Sequence, residues 1–148
     1  MFLRTILMLA AVFMTAVTAG AQTHPATDAD AIRHVIKSTW DRPAEPVNVP
    51  AVAVVSGYAI AGWTQGATGG RALLRKKADA WSIVLCAGDQ LRNADTLRQI
   101  GISEPIARQL AADLAQAERA LPPKDVALFS RFEGLVTMDQ AHGHGHGH

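Results

Sequence analysis

The chain holds a single cysteine, Cys86, so no disulfide can close within it, and an oxidising compartment would supply no covalent staple. A hydrophobic core has to hold the fold alone. There is no basic block either: 14 Lys and Arg stand against 13 Asp and Glu, which leaves no electrostatic footprint for nucleic acid. Motifs of catalysis are missing, with no G-x-S-x-G elbow, no phosphate loop and no H-E-x-x-H pair. Residues 66–70 are glycine-rich but lack the Lys-Ser/Thr and the helix that a phosphate cradle needs, and a hairpin loop before Arg71 accounts for them. Acidic residues are scattered over expected helix surfaces. The expectation is a protein that is not an enzyme.

No apolar run reaches the roughly 20 residues that cross a bilayer. The longest, residues 6–17, follows Arg4 and leads to Ala19-Gly20-Ala21, the small-residue pattern that a signal peptidase cuts after. Residues 1–21 therefore read as a signal peptide, and the mature chain is expected to start at Gln22 and to be soluble in the periplasm, without membrane insertion. No cysteine near the cut could carry a lipid. Cleavage removes Arg4 and leaves 13 basic against 13 acidic side chains on about 127 residues, one domain's worth.

Residues 22–27 form a short flexible N-terminus, followed by an α+β domain over 28–138 and a flexible tail over 139–148. Thr27 and Asp30 make a capping box, and Ile32, Val35, Ile36 and Trp40 follow at helical spacing. Pro43, Pro46 and Pro50 mark a connector. Four β-favouring runs, 51–55, 58–65, 71–77 and 81–86, are separated too closely for crossover helices, which predicts a four-stranded antiparallel meander with Trp63 and Tyr58 on opposite faces. Further on, Asp89 reads as an N-cap for Leu91, Ala94 and Leu97, and Gly101 as the stop. Ser103 caps a longer helix with Ile106, Leu110, Leu114, Ala117 and Leu121 on its buried stripe. Pro122 and Pro123 end it, and a last helical segment carries Val126, Leu128, Phe129 and Phe132. The fold class is α+β, an N-terminal helix, the meander, and C-terminal helices packed on one sheet face.

The end of the chain carries the most distinctive chemistry. In Ala141-His142-Gly143-His144-Gly145-His146-Gly147-His148, four of the six histidines alternate with glycine. Neutral imidazole is a common ligand for Cu(II), Zn(II) and Ni(II), and glycine lets neighbouring rings converge on one ion. Ordering such a tail costs conformational entropy, so binding should be exchangeable, which suits handover or buffering. Met138 lies just upstream, and its thioether would favour Cu(I) if it joined the histidines. A purification tag and a solvated tail without a role are the alternatives.

Cleavage before Gln22 would also place His24 third in the mature chain. An amine, two amides and a third-position imidazole can wrap Cu(II) or Ni(II) in a square-planar site, provided the cut is exact and Gln22 does not cyclise. Cys86 ends an apolar run and reads as a small core residue, with a thiolate ligand for Cu(I) as the sharper alternative; it has no C-x-x-C partner. His34 reads as structural or solvent-facing.

Gly57-Tyr58-Ala59, Gly62-Trp63-Thr64-Gln65-Gly66, Gly69-Gly70-Arg71-Ala72-Leu73-Leu74, Trp81 with Leu85-Cys86-Ala87-Gly88-Asp89, residues 129–132, Gly134 and Met138 form a joint pattern over most of the mature sequence. In it the chain resembles the small exported proteobacterial proteins described as copper uptake system-associated proteins. That resemblance implies a periplasmic accessory of copper acquisition with a histidine-rich end. It carries over no ligand residues, and the alternating Gly-His tail departs from the more contiguous His and Pro-His tails of the group.

Together these point to a copper-binding accessory in which His142, His144, His146 and His148, with Met138 and His24, capture copper as Cu(I) or Cu(II), with Zn or Ni as possible substitutes in vitro. The ion would pass to a periplasmic or membrane copper-transport protein. The alternative is a cystatin-like protein-binding or small-ligand-binding module, its pocket between sheet and helices around Trp63 and Trp81, with the tail incidental.

Overall fold

A computed structural model describes residues 27–138. Helix α1 (Asp28–Trp40) begins at the capping box: the Asp30 amide donates to Thr27 Oγ1 and the Thr27 amide donates to Asp30 Oδ2, each at 3.2 Å. Two donors that the first turn leaves orphaned are thereby satisfied, a contribution of about 1 kcal/mol. Ile32 and Ile36 are fully buried, as the spacing predicts, and His34 on the other side is exposed.

The sheet is antiparallel throughout and runs in chain order, β1 (Val47–Val55), β2 (Tyr58–Gln65), β3 (Thr68–Lys77), β4 (Ala80–Ala87) and β5 (Leu135–Thr137). It has five strands where the sequence predicted four, because three residues are too few to show alternation. β1 starts four residues ahead of the expected run. Its Pro50 is tolerated because β1 is an edge strand and its pairing slips between Asn48 and Ala51, where no ladder donor is required. Gly69 and Gly70 belong to β3, so the hairpin loop shrinks to Gly66-Ala67.

The C-terminal helices pack on one face of the sheet, as expected, and α1 covers the other. On one face α1 packs Ile32 and Ile36 against Val47, Ala59, Ala61, Trp63, Leu74, Trp81 and Cys86. On the other, Ile60, Leu73 and Leu85 meet Leu91, Leu97, Ala107, Leu110 and Leu114. The inner strands are therefore buried on both sides, which explains the near-continuous burial across β2 and β3. Trp63 and Tyr58 do fall on opposite faces.

Asp89 is not an N-cap. It opens a 3₁₀ turn (Asp89–Arg92), and Asn93 caps α2 (Ala94–Gln99), its Oδ1 accepting from the Asp95 and Thr96 amides at 2.8 and 3.3 Å. In α3 (Glu104–Arg119) the buried stripe is Ala107, Leu110, Leu114 and Glu118, so a carboxylate occupies the end of the apolar row. Short α4 (Pro123–Phe129) follows, and Phe132 lies beyond its end.

Glu118 is buried because it faces Arg71 of β3, which has no exposed surface. The guanidinium donates through Nε and Nη2 to the two Glu118 oxygens at 2.6 and 3.1 Å, and through Nη1 to Asp89 Oδ1 at 3.2 Å. Ser130 Oγ donates to the same Asp89 oxygen at 2.6 Å, and the Phe129 ring lies 5.5 Å from the guanidinium carbon. One buried cation thus ties β3, the 3₁₀ turn, α3 and the end of α4 together.

Breaking the pair from one side strands a charge. Glu118→Ala is expected to cost about 3–5 kcal/mol, with the double replacement Arg71→Met and Glu118→Leu recovering much of that loss. Urea unfolding followed by circular dichroism measures both, and a loss below about 1 kcal/mol for Glu118→Ala would mean that the pair is solvated.

Candidate functional site

The described residues form a cavity of about 230 Å³ on the α1 face, partly open to solvent and lined by Trp40, Trp63, Gln65, Cys86, Phe132, Val136 and Met138. Its walls come from four parts of the chain. Trp40 is the last residue of α1, and the Gln65 side chain pins that end to β2, its Nε2 donating to the carbonyls of Trp40 at 2.9 Å and Glu45 at 2.8 Å. Trp40 and Trp63 have ring centroids 5.6 Å apart, and Phe132 meets Trp63 edge to face at 6.1 Å.

Phe132 can lie there because β3 has no side chain beneath it. A Cβ on Gly70 would come within 2.9 Å of the Phe132 ring. On the opposite face a Cβ on Gly62 would come within 2.6 Å of Phe129. Two aromatic residues three apart thus clasp the sheet from both sides, and the chain between them passes around its end. It then returns as β5, pairing Val136 with Cys86.

Cys86 reaches the cavity through an irregularity in β4. Trp81 and Ile83 face α1, and strict alternation would put Leu85 beside them and Cys86 on the other side. Instead the register shifts between Leu73 and Leu74, Val84 becomes the extra residue, and the parity reverses, so that Leu85 joins the α3 core and Cys86 the α1 core. Cys86 is 4 % exposed. Burial pushes the thiol up to about 12, so it is fully protonated at neutral pH.

Of the expected metal residues, Met138 lines this cavity. His24, His142, His144, His146 and His148 lie outside the described residues. Met138 is the last described residue, and His142 follows four positions later. Among the described residues no three His, Cys, Asp or Glu side chains gather to hold a metal ion, and no helix is long and apolar enough to cross a membrane. His34 is exposed, with Nε2 3.4 Å from Ser38 Oγ.

An apolar cavity beside Trp63 does exist, but Trp81 has no part in it. Trp81 packs by the start of α1, its Nε1 donating to Asp28 Oδ1 at 3.0 Å, and Lys76 lies over its ring. Lys76 also donates to Asp28 Oδ1, and these two hydrogen bonds hold the Asp28 carboxyl below its usual range. Trp40, Gln65, Phe132 and Val136 were not legible as cavity residues. Only Gly70, a strand glycine with no turn to make, could have signalled an aromatic ring above it. Trp63 Nε1 is buried with no hydrogen-bond partner among the described residues.

No protein-family model matches the chain, and no curated protein or solved structure matches it.

The cavity offers a thiol, a thioether and aromatic faces, with little that would hold a hard ion or move a proton. Its cysteine leaves a pH signature. In the unfolded chain the thiol ionises near 9.0 and in the fold near 12. Between those values the unfolded chain has lost a proton that the fold retains, so stability falls as pH rises through this window and the contribution is intact below it. Over pH 9–12 the urea midpoint of the wild type is expected to fall more steeply than that of Cys86→Ala. Parallel slopes would mean that the thiol meets water.

Proposed function

We propose that the protein is a non-catalytic copper-binding accessory of an exported compartment, whose tail captures the ion and whose folded body docks to the protein that receives it. The reading is supported by the composition of residues 141–148, by the signal-like N-terminus, and by the resemblance to copper uptake system-associated proteins. The structural observation that carries it is the position of Met138, a soft donor on the wall of an aromatic cavity, four residues before the first tail histidine. Only four positions separate Met138 from His142 in the sequence. A chain that captures copper on imidazoles and passes it inward or onward needs such proximity.

The body has the features of a docking platform. Val84, Leu135 and Val136 are apolar residues of β4 and β5 that stay more than a third exposed, beside the cavity and at the open edge of the sheet. A receiving transporter or chaperone would meet the tail there.

A second reading is favoured by the cavity itself. About 230 Å³ of mainly apolar space would also suit a small apolar ligand, the tail being incidental. The two separate on the tail. In the processed full-length protein, replacing His142, His144, His146 and His148 with alanine is expected to weaken Cu(II) binding by about tenfold or more, as read by isothermal titration. Binding by the intact tail should also fade as pH drops through about 6.5, because imidazole must lose its proton to coordinate. Unchanged Cu(II) affinity in the alanine variant would remove the tail from the mechanism and leave the ligand-binding reading.

A further inference from the structure

We infer that Cys86 and Met138 form a two-sulfur site for a soft monovalent metal ion, Cu(I), inside the cavity walled by Trp40, Trp63 and Phe132. The site rests on the copper-handling role proposed above and gives that role an oxidation state and a place in the folded body.

Three observations meet here. First, the two sulfur residues come from opposite ends of the fold's long return path, β4 and the residue after β5, and both line one cavity. Second, the Cys86 thiol is there because β4 breaks its alternation; without the extra residue at Val84 the α1 face would present Leu85. A bulge that brings a cysteine into the lining that Met138 shares is a feature that packing alone does not require, since Leu85 would fill the space with more apolar volume. Third, the lining includes three aromatic side chains, with Trp63 meeting both Trp40 and Phe132. Ring faces attract a cation and keep water away from it.

Charge decides which ion fits. Binding is a proton exchange: the Cys86 S–H bond breaks, an S–Cu bond forms, Met138 donates a lone pair from its thioether, and the proton leaves to solvent. Neither sulfur nor copper changes oxidation state. One thiolate neutralises one Cu(I), so the buried complex carries no net charge, which relieves the penalty that keeps the empty thiol protonated. A divalent ion on the same two sulfurs would leave a positive charge in apolar surroundings, a costly state. Thiolate and thioether are soft donors, which favours Cu(I) over Zn(II) a second time. Two sulfurs leave room in the cavity for a third donor, the opening through which an ion is exchanged.

The test uses the full-length processed chain in which His24, His142, His144, His146 and His148 are alanine, so that only the body can respond. Cu(I) is supplied without oxygen, in competition with bicinchoninate. The expected result is one Cu(I) per chain, a sulfur-to-copper charge-transfer band in the near ultraviolet, and quenched tryptophan emission. Met138→Leu, which conserves volume, is expected to weaken binding by about tenfold or more. Cys86→Ser and Cys86→Ala should each abolish the band, and Zn(II) should bind neither the histidine-free chain nor its variants. Absence of Cu(I) binding by the histidine-free chain overturns the site, and so does affinity that Cys86→Ser and Met138→Leu leave unchanged. Either failure leaves the tail untouched, because the tail is judged by Cu(II) binding in the chain that retains Cys86 and Met138.

Discussion

Arg71 has no exposed surface, and a guanidinium removed from water persists only where carboxylates take the water's place. Glu118 supplies two oxygens and Asp89 a third. Because those groups sit on α3 and on the 3₁₀ turn after β4, the cation fixes where both elements lie against the sheet. Ser130 reports to the same Asp89, and Phe129 lies against the guanidinium. The end of α4 is therefore placed by the same charge, and everything downstream of it inherits that placement: the passage around the sheet, Phe132 over Gly70, and β5 beside β4. A buried pair of this sort adds little net stability compared with well-packed apolar groups, yet it rejects arrangements that leave the charge unpaired. In this protein the rejected arrangements are those in which the C-terminal segment docks elsewhere.

The cavity is a consequence of that path. Its floor is Trp63 and Cys86 on the sheet, its sides are the end of α1 and Phe132, and its rim is Val136 and Met138. Two slips in strand register decide what faces it. In β1 the irregularity between Asn48 and Ala51 changes which residues meet α1, from Val47 and Val49 to Val52 and Val54. In β4 the slip at Val84 exchanges Leu85 for Cys86. The first keeps bulky aliphatic residues under α1 along the edge strand; the second puts a sulfur where an alternating strand would have put a hydrocarbon.

On the proposed reading, the protein divides copper handling between two donor sets of different character. Imidazoles on a glycine-rich tail would bind several divalent ions and exchange them readily, while a thiol and a thioether in an aromatic cavity would favour a monovalent one. Burial makes the thiol reluctant to ionise. A tail that starts four residues from the cavity wall can hand an ion over without leaving the protein.

Local rules carried much of the fold into the sequence. The capping box at Thr27 and Asp30, the spacing of Ile32 and Ile36, the three tight hairpins and the stop at Pro122-Pro123 are each decided by residues within a few positions of one another, and α1, the meander and α3 follow from them. The histidine-rich tail, read from composition, is legible for the same reason. What no local rule contains is pairing at a distance: Arg71 with Glu118, Phe129 on Gly62, Phe132 on Gly70, and a three-residue strand that exists only because β4 offers an edge. Burial on both faces erased the alternation that would have revealed the slip at Val84, so Cys86 read as an ordinary core residue. The sequence alone thus settled α1, the run of β1 to β4 and α3; β5 and the choice of side chains that share a cavity were decided by the tertiary structure, because contacts across the sheet depend on register and on where a buried charge finds its partners.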